Sequence, residues 1–234
     1  NSDTVRTTWW WTYLNKSDPN GLEEVEKQRG KCNGGKRYGR AVTLAETYAA
    51  CVEHPAQRLF WAITASESLI TLGCDVANAF AEAPPPKEPF YMEVDDQFRD
   101  WWVNCMNRPP IPKGCVIPIQ RASQGHPESP RLWHQHTHNI LTKDEGFECG
   151  THAPCLCFKR DDNEPTPEDK YHKACIKRTA NDGFVLILRQ VDDFAISGST
   201  PEECDKVRHI IQKQMANKLH DLGIIKRFNG VDIH

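Results

Sequence analysis

The apolar patterning is densest at Phe184–Gly198. There two apolar runs, Val185–Leu188 and Phe194–Ile196, flank a short polar break that holds Asp192 and Asp193. Apolar β-formers on both sides of such a break predict a β-hairpin, with the two carboxylates at or beside its turn. Upstream, Leu69–Leu72 predicts a buried strand with Asp75 at its carboxyl end, a position that also suits a helix N-cap. Phe90–Val94 alternates as a strand, and Cys155–Phe158 predicts a strand that pairs with Val185–Leu188.

Helical patterns punctuate these runs. Pro55–Ala65 predicts a helix that opens on proline and turns Leu59, Phe60 and Ile63 to the core. Ser129 predicts an N-cap with Pro130 behind it and Leu132, Trp133, His136 and Ile140 along one face. Thr200–Glu203 reads as a capping box, followed by a stripe of Cys204, Val207, Ile210, Ile211 and Met215 that Leu222-Gly223 closes. Residues 1–40 are polar and read as irregular, with a turn at Asp18–Gly21. The prolines of 83–89 exclude helix and inner strand, and Asp161–Lys170 reads as a surface loop.

Composition narrows the class only moderately. The chain has 234 residues, enough for one large or two small domains, and 38% hydrophobic against 26% charged residues fits a polar globular protein. Nothing approaches a membrane span and no secretory signal opens the sequence, so a membrane partner is not expected. The first residue is Asn1 rather than Met, which suggests a piece of a larger polyprotein. A net charge of −3 does not advertise a nucleic-acid binder, although an acidic centre and a basic groove cancel in the sum. The ten cysteines are scattered, several within apolar segments, and reduced, mostly buried thiols are expected.

The candidate chemistry lies in the three aspartates. Neighbouring carboxylates at a strand end repel and lose hydration, and a divalent cation compensates both costs. Magnesium suits the position because it takes one or two carboxylates together with substrate phosphates. One Asp at a strand end and an Asp pair on a hairpin are together suited to two-metal phosphoryl transfer.

Here the stretches resemble a family. Asp75-Val76-x-x-Ala79-Phe80 is similar to the first palm motif of the reverse transcriptases of copia-type retrotransposons, D-V-x-x-A-F. Val191-Asp192-Asp193 is similar to their Y-V-D-D, with Gln190 in place of the tyrosine. Gln124–Trp133 resembles their Y-G-L-K-Q-A-P-R-x-W and keeps the Q-G-x-x-x-S-P spacing. Lys27–Gly34 matches their fingers motif at Lys27, Arg29 and Gly34, Glu46–Val52 looks like E-T-F-A-P-V-V, and Phe228–Ile233 is similar to F-L-G-I-x-I.

The resemblance covers residues 27–234 and implies an α+β fold: a right-hand polymerase palm, an antiparallel sheet backed by helices, with partial fingers and no thumb. Residues 1–26 would form an irregular N-terminal segment. Fingers would occupy about 27–68 and 83–120, and palm about 69–82 and 121–234. The implied activity is RNA- and DNA-directed DNA polymerisation. Asp75, Asp192 and Asp193 would be catalytic and, with the Val76 carbonyl, would ligate two magnesium ions, manganese being a possible substitute. Arg29, Phe80, Gln124 and Gly125 would contact the incoming nucleotide, with Phe80 excluding the ribose 2′-hydroxyl. Asn229 and Gly230 would lie at the primer grip, and Lys226 is a candidate general acid on nearness alone. Implied partners are an RNA or DNA template, a primer strand, deoxynucleoside triphosphates, and the integrase and RNase H portions of the Pol polyprotein. The implied location is intracellular, in cytoplasmic virus-like particles or the nucleus.

Two other readings accompany this one. The chain would be a catalytically inactive retroelement remnant that binds nucleic acid or protein. Alternatively, Cys149, His152, Cys155 and Cys157 with His172 and Cys175 would form a zinc-containing interaction module around 149–175, since their two-residue spacings suit zinc.

Overall fold

The structure is a computed structural model that describes residues 5–7, 9–17, 24–34, 43–160, 184–217 and 219–233. It is a mixed α+β fold in two compact units. The first comprises Asn1–Tyr48 and Phe80–Trp133, the second Ala49–Ala79 and His134–His234. The Asp18–Gly21 turn, the loop at Asp161–Lys170, His172 and Cys175 lie outside the described residues.

The first unit holds two small sheets. β1 (Val5–Thr7) lies parallel to β5 (Phe90–Glu93), and β5 pairs antiparallel with β6 (Val116–Pro118). β2 (Trp9–Ser17) and β3 (Glu24–Cys32) form a separate antiparallel ribbon, with Trp9 opposite Cys32 and Ser17 opposite Glu24. The described residues of the segment read from sequence as irregular are therefore mostly strand. The physical reason is its run of aromatic and β-branched residues, which a pleated ribbon accommodates despite the polar composition. Among the described residues three helices accompany these sheets. α1 (Leu44–Thr47) is opened by a Thr43/Glu46 capping box; α3 spans Ala79–Glu82; and α4 (Asp96–Asn104) is capped by the Asp95 carboxylate, which accepts from the Phe98 amide at 2.7 Å.

The second unit is built on a six-stranded antiparallel sheet, ordered β11-β4-β10-β9-β8-β7. Its strands are β4 (Ile70–Val76), β7 (Glu148–Cys149), β8 (Leu156–Arg160), β9 (Phe184–Gln190), β10 (Asp193–Gly198) and β11 (Leu219–Ile224). A short hairpin, β12 (Arg227–Phe228) with β13 (Val231–Asp232), follows them. As the apolar runs predict, β9 and β10 form a hairpin and β8 pairs with β9.

Both faces of this sheet are covered, so β9 is buried almost throughout and reads as a continuous apolar run. On one face α2 (His54–Ser66) sets Phe60, 0% exposed, against Leu186, Leu188, Ala195 and Phe228. Burying a ring of that size contributes about 3 kcal/mol. Leu59, expected in this stripe, is half exposed, because the helical face centred on Ala56, Phe60 and Thr64 passes it by. Thr64, Ser197 and Thr71 satisfy their buried hydroxyls with one another (3.1 and 2.7 Å).

On the other face α6 (Pro201–Lys213) lays Cys204, Val207 and Ile211 over β4 and β10. Its Thr200/Glu203 capping box and Pro201 start are those the sequence predicts. Leu222 and Gly223 do not close this helix. They belong to β11, and Gly223 takes φ +66° next to a register shift at Asp221/Gly223.

α5 (Ser129–Asn139) carries the chain from the first unit into the second and continues as a π-helical turn, Ile140–Asp144. Leu132, Trp133 and Ile140 are buried along it, as expected. Ser129 departs from its expected role. Its Oγ donates to the Ser123 carbonyl at 2.7 Å and accepts from the Ser123 amide at 3.0 Å, clasping the preceding loop instead of capping the helix. Among the described residues no helix is long and apolar enough to cross a membrane.

Candidate functional site

β4 carries Asp75 into the middle of the sheet, because its apolar alternate positions Leu72, Cys74 and Val76 are held under α6. Asp75 therefore projects from the opposite face, the one α2 covers lower down. β10 runs antiparallel beside it, with Asp193 directly opposite Asp75. Directly opposed residues share a face, with Cβ atoms about 5 Å apart. The same register continues outward, placing Gln190 opposite Asp193 on β9 and His220 opposite Asp75 on β11. Four strands thus present one row, Gln190–Asp193–Asp75–His220, at the end of the sheet where the β9–β10 turn lies.

Asp192 occupies that turn with Val191. The Asp192 carbonyl accepts from the Val76 amide at 2.9 Å, locking the turn to the end of β4. Val191 stands at φ +52°, a backbone region unusual for a β-branched residue. Behind the row, burial pushes the Cys74 thiol up to about 12; Arg208 opposes this, while Asp221, Asp75 and Asp193 add to it. The carboxylates are thus near enough to be felt through the sheet.

Two side-chain anchors lie on the α2 side, one on the row and one on the β12–β13 hairpin. Gln190 Oε1 accepts from the Val52 amide at 2.9 Å. Gln57, in the first turn of α2, donates to the Phe228 carbonyl at 3.4 Å and accepts from Asn229 Nδ2 at 3.3 Å. The Asn229-Gly230 turn joins β12 to β13 with both residues at positive φ, 47° and 79°. The segment before and into α2 thereby ties both hairpins. On the opposite face Arg189, 3% exposed, gives Nη2 to His134 Nδ1 at 2.9 Å and Nη1 to the His134 carbonyl at 3.2 Å. Burial, aided by the Arg189 and His138 charges, holds the His134 ring down to about 4.

Asp75, Val76, Asp192 and Asp193 are brought together, whereas Lys226 is not. The next residue back, Ile225, bonds the Thr71 carbonyl, four positions down β4 from Asp75 and roughly 13 Å along the strand. Lys226 instead lines an apolar cavity of about 800 Å³ with Trp61, Leu69, Ile225 and Ile233, at the end of the sheet away from the carboxylates. Val52, Gln57 and His220 were missed from sequence. His220 offered only its alternation along an unrecognised strand.

The first unit gathers the other candidates. The Cys32 amide donates to the Gln124 carbonyl at 2.8 Å. Gly125 takes φ +93°, and a Cβ there would overlap the Cys32 carbonyl oxygen; one on Gly34 would overlap the Gly125 carbonyl oxygen. The two glycines are therefore required by mutual backbone approach. Arg29 lies on β3 opposite Thr12, its side chain outside the described residues. Phe80 is half-buried in α3.

No family model matches the chain, and no curated protein does.

Among the described residues no group of three or more His, Cys, Asp and Glu is arranged to hold a metal ion. Of the six zinc candidates, His172 and Cys175 lie outside the described residues. Cys149 and Cys157 face each other across β7 and β8 and are joined as a disulfide, which uses both sulfurs; His152 is exposed; and Cys155 is buried with its thiol on the Ala50 carbonyl. The disulfide corrects the expectation of reduced thiols, and Cys51, Cys105 and Cys115 are exposed. For magnesium the donors are of the right kind: Asp75 and Asp193 bring carboxylate oxygens from adjacent strands, the ligand type that ion takes.

Proposed function

We propose that this chain is the fingers-and-palm part of a copia-type reverse transcriptase, an RNA- and DNA-directed DNA polymerase within a retrotransposon Pol polyprotein. One observation carries the reading: Asp75 and Asp193, far apart in sequence and each in a motif resembling that family, are direct cross-strand neighbours, with Asp192 bonded through its carbonyl to Val76. An antiparallel sheet with helices on both faces is consistent with a palm.

In this reading Asp75, Asp192 and Asp193, with the Val76 carbonyl, would hold two magnesium ions or manganese. When bound, the metal supplies Lewis-acid activation of a primer 3′-hydroxyl and charge neutralisation of a triphosphate. The β4 and β9–β10 framework orients these oxygens before substrate arrives. Arg29, Gln124 and Gly125 bind the incoming deoxynucleotide, with a guanidinium suited to bidentate phosphate contact. Phe80 rejects a 2′-hydroxyl by bulk, and Asn229 and Gly230 support the primer. Template RNA or DNA, primer, and the neighbouring integrase and RNase H portions are the partners, inside virus-like particles or the nucleus.

The test is magnesium-dependent primer extension on an RNA template, with this chain and with a version continued through a thumb, each beside Asp192→Asn. Extension that the substitution removes supports the reading. A folded chain that binds nucleic acid yet extends in neither form is the inactive remnant instead.

A further inference from the structure

Between α4 and β6 of the first unit, Arg108–Lys113 belongs to neither helix nor strand. Its sequence nevertheless fixes its backbone. Proline sets φ, and a residue before proline is driven to extended backbone, so Arg108, Pro109 and Ile111 are all held extended. The run Pro109-Pro110-Ile111-Pro112 is thereby biased to a polyproline II helix. Burial agrees with that helix's three-residue repeat. Pro109, Pro110 and Pro112 are exposed, and Ile111 alone turns partly inward. Pro109 and Pro112 share one outward edge, about 9 Å apart.

Both ends of the run are pinned. The Arg108 amide donates to the Trp102 carbonyl at 3.2 Å, and the Trp102 indole N–H donates to the Pro109 carbonyl at 3.0 Å, its ring stacked on Phe98. The Cys115 amide donates to the Pro112 carbonyl at 3.2 Å. Between these ties the Pro110 and Ile111 carbonyls accept no hydrogen bond among the described residues. Arg108 and Lys113 stand exposed at either end, and among the described residues neither has an ion pair.

We propose that Arg108–Lys113 is a docking ridge for a proline-recognition domain of the SH3 kind. Such a groove is lined by aromatic rings and takes Pro109 and Pro112 between them, while its ring donors reach the free Pro110 and Ile111 carbonyls. Carboxylates on its rim meet Arg108 and Lys113, so an acidic groove is favoured and a basic one rejected. Because the ridge is already ordered by Trp102 and Cys115, little conformational freedom is lost on binding. The surface lies in the first unit and is independent of the polymerase reading.

The experiment titrates the whole chain into a panel of isotope-labelled, acidic-rimmed SH3 domains and follows their aromatic-groove resonances by NMR. Groove shifts that saturate are expected. The double variant Pro109→Ala/Pro112→Ala should weaken binding by more than about tenfold, as loss of central anchors does. Arg108→Ala/Lys113→Ala should weaken it less and flatten its salt dependence. All four positions are exposed, so thermal midpoints equal to the parent's show that the variants fold. Absence of groove shifts across the panel overturns the proposal, as do shifts that the proline variant leaves unchanged. Binding by a free peptide of residues 106–116 but not by the chain also overturns it, since the ridge is then closed in the fold.

Discussion

Two hairpins of the second unit turn on two residues each, with opposite chemistry. At β12–β13 the turn is Asn229-Gly230, both at positive φ, a preferred sequence for a type I′ turn. At β9–β10 it is Val191-Asp192, with only the valine at positive φ. That pattern matches a type II′ turn, whose first central position ordinarily belongs to glycine. One turn is relaxed; the other holds strain of about 1–3 kcal/mol, since a β-branched Cβ crowds the backbone there. The strained one carries the carboxylates.

The difference teaches where over-determination lies. Strain persists only where surroundings leave no alternative. Around Val191 they leave little: β9 is buried on both faces, Gln190 is tied to Val52, Arg189 to His134, and the Asp192 carbonyl to Val76. Among the described residues the relaxed turn has one side-chain tie, to Gln57.

The largest test asks whether the strained turn is the chemical one. Asp193→Asn should lower primer extension by more than about a hundredfold, beyond what supporting residues of a metal site typically cost, with thermal stability kept. Retained extension would sink the assignment. Next come reciprocal substitutions. Gly230→Val places a β-branched residue at φ +79° and should destabilise by about 2 kcal/mol, whereas Val191→Gly should stabilise by about 1 kcal/mol through released strain. Denaturant midpoints moving in the same direction for both would show that the turns do not differ. Gln57→Ala should cost about 1 kcal/mol by freeing Asn229 and the Phe228 carbonyl, again read from the midpoint.

The smallest effect is a pH dependence behind the strained turn. His134 has its pKa depressed to about 4 in the folded chain against about 6.5 when unfolded. Between these values the unfolded state binds the additional proton. The contribution is therefore complete above about pH 6.5 and lost as pH falls through 4. Midpoints measured from pH 7 to 4 should decline less in His134→Gln than in the parent, with His126, His138 and Asp221, all of lowered pKa, among the groups that add to the remaining slope.

Much of the strained hairpin was legible because β9, β10 and the start of β4 are apolar runs bounded by polar breaks, and α6 announces itself with a capping box and proline. Local pattern does not carry register. That Asp193 would face Asp75, and His220 flank it, depends on non-local pairing. β11 was misread because Leu222-Gly223 imitates a helix stop, and the early strands because the polar composition of 1–40 masked their aromatic and β-branched run. Leu59 shows the limit of a stripe read without its phase. The Cys149–Cys157 partnership was hidden for the same reason as the row: both are cross-strand facts.

The place of β4 also bears on how the chain is made. Its two neighbours, β10 and β11, emerge from the ribosome more than a hundred residues after it. Until then a short, apolar strand bearing Asp75 has both edges unpaired, the condition in which strands pair wrongly or aggregate. Closure of the sheet must await contacts of long sequence separation, which slow folding. This inner strand of the second unit is consequently among its last to be secured during synthesis.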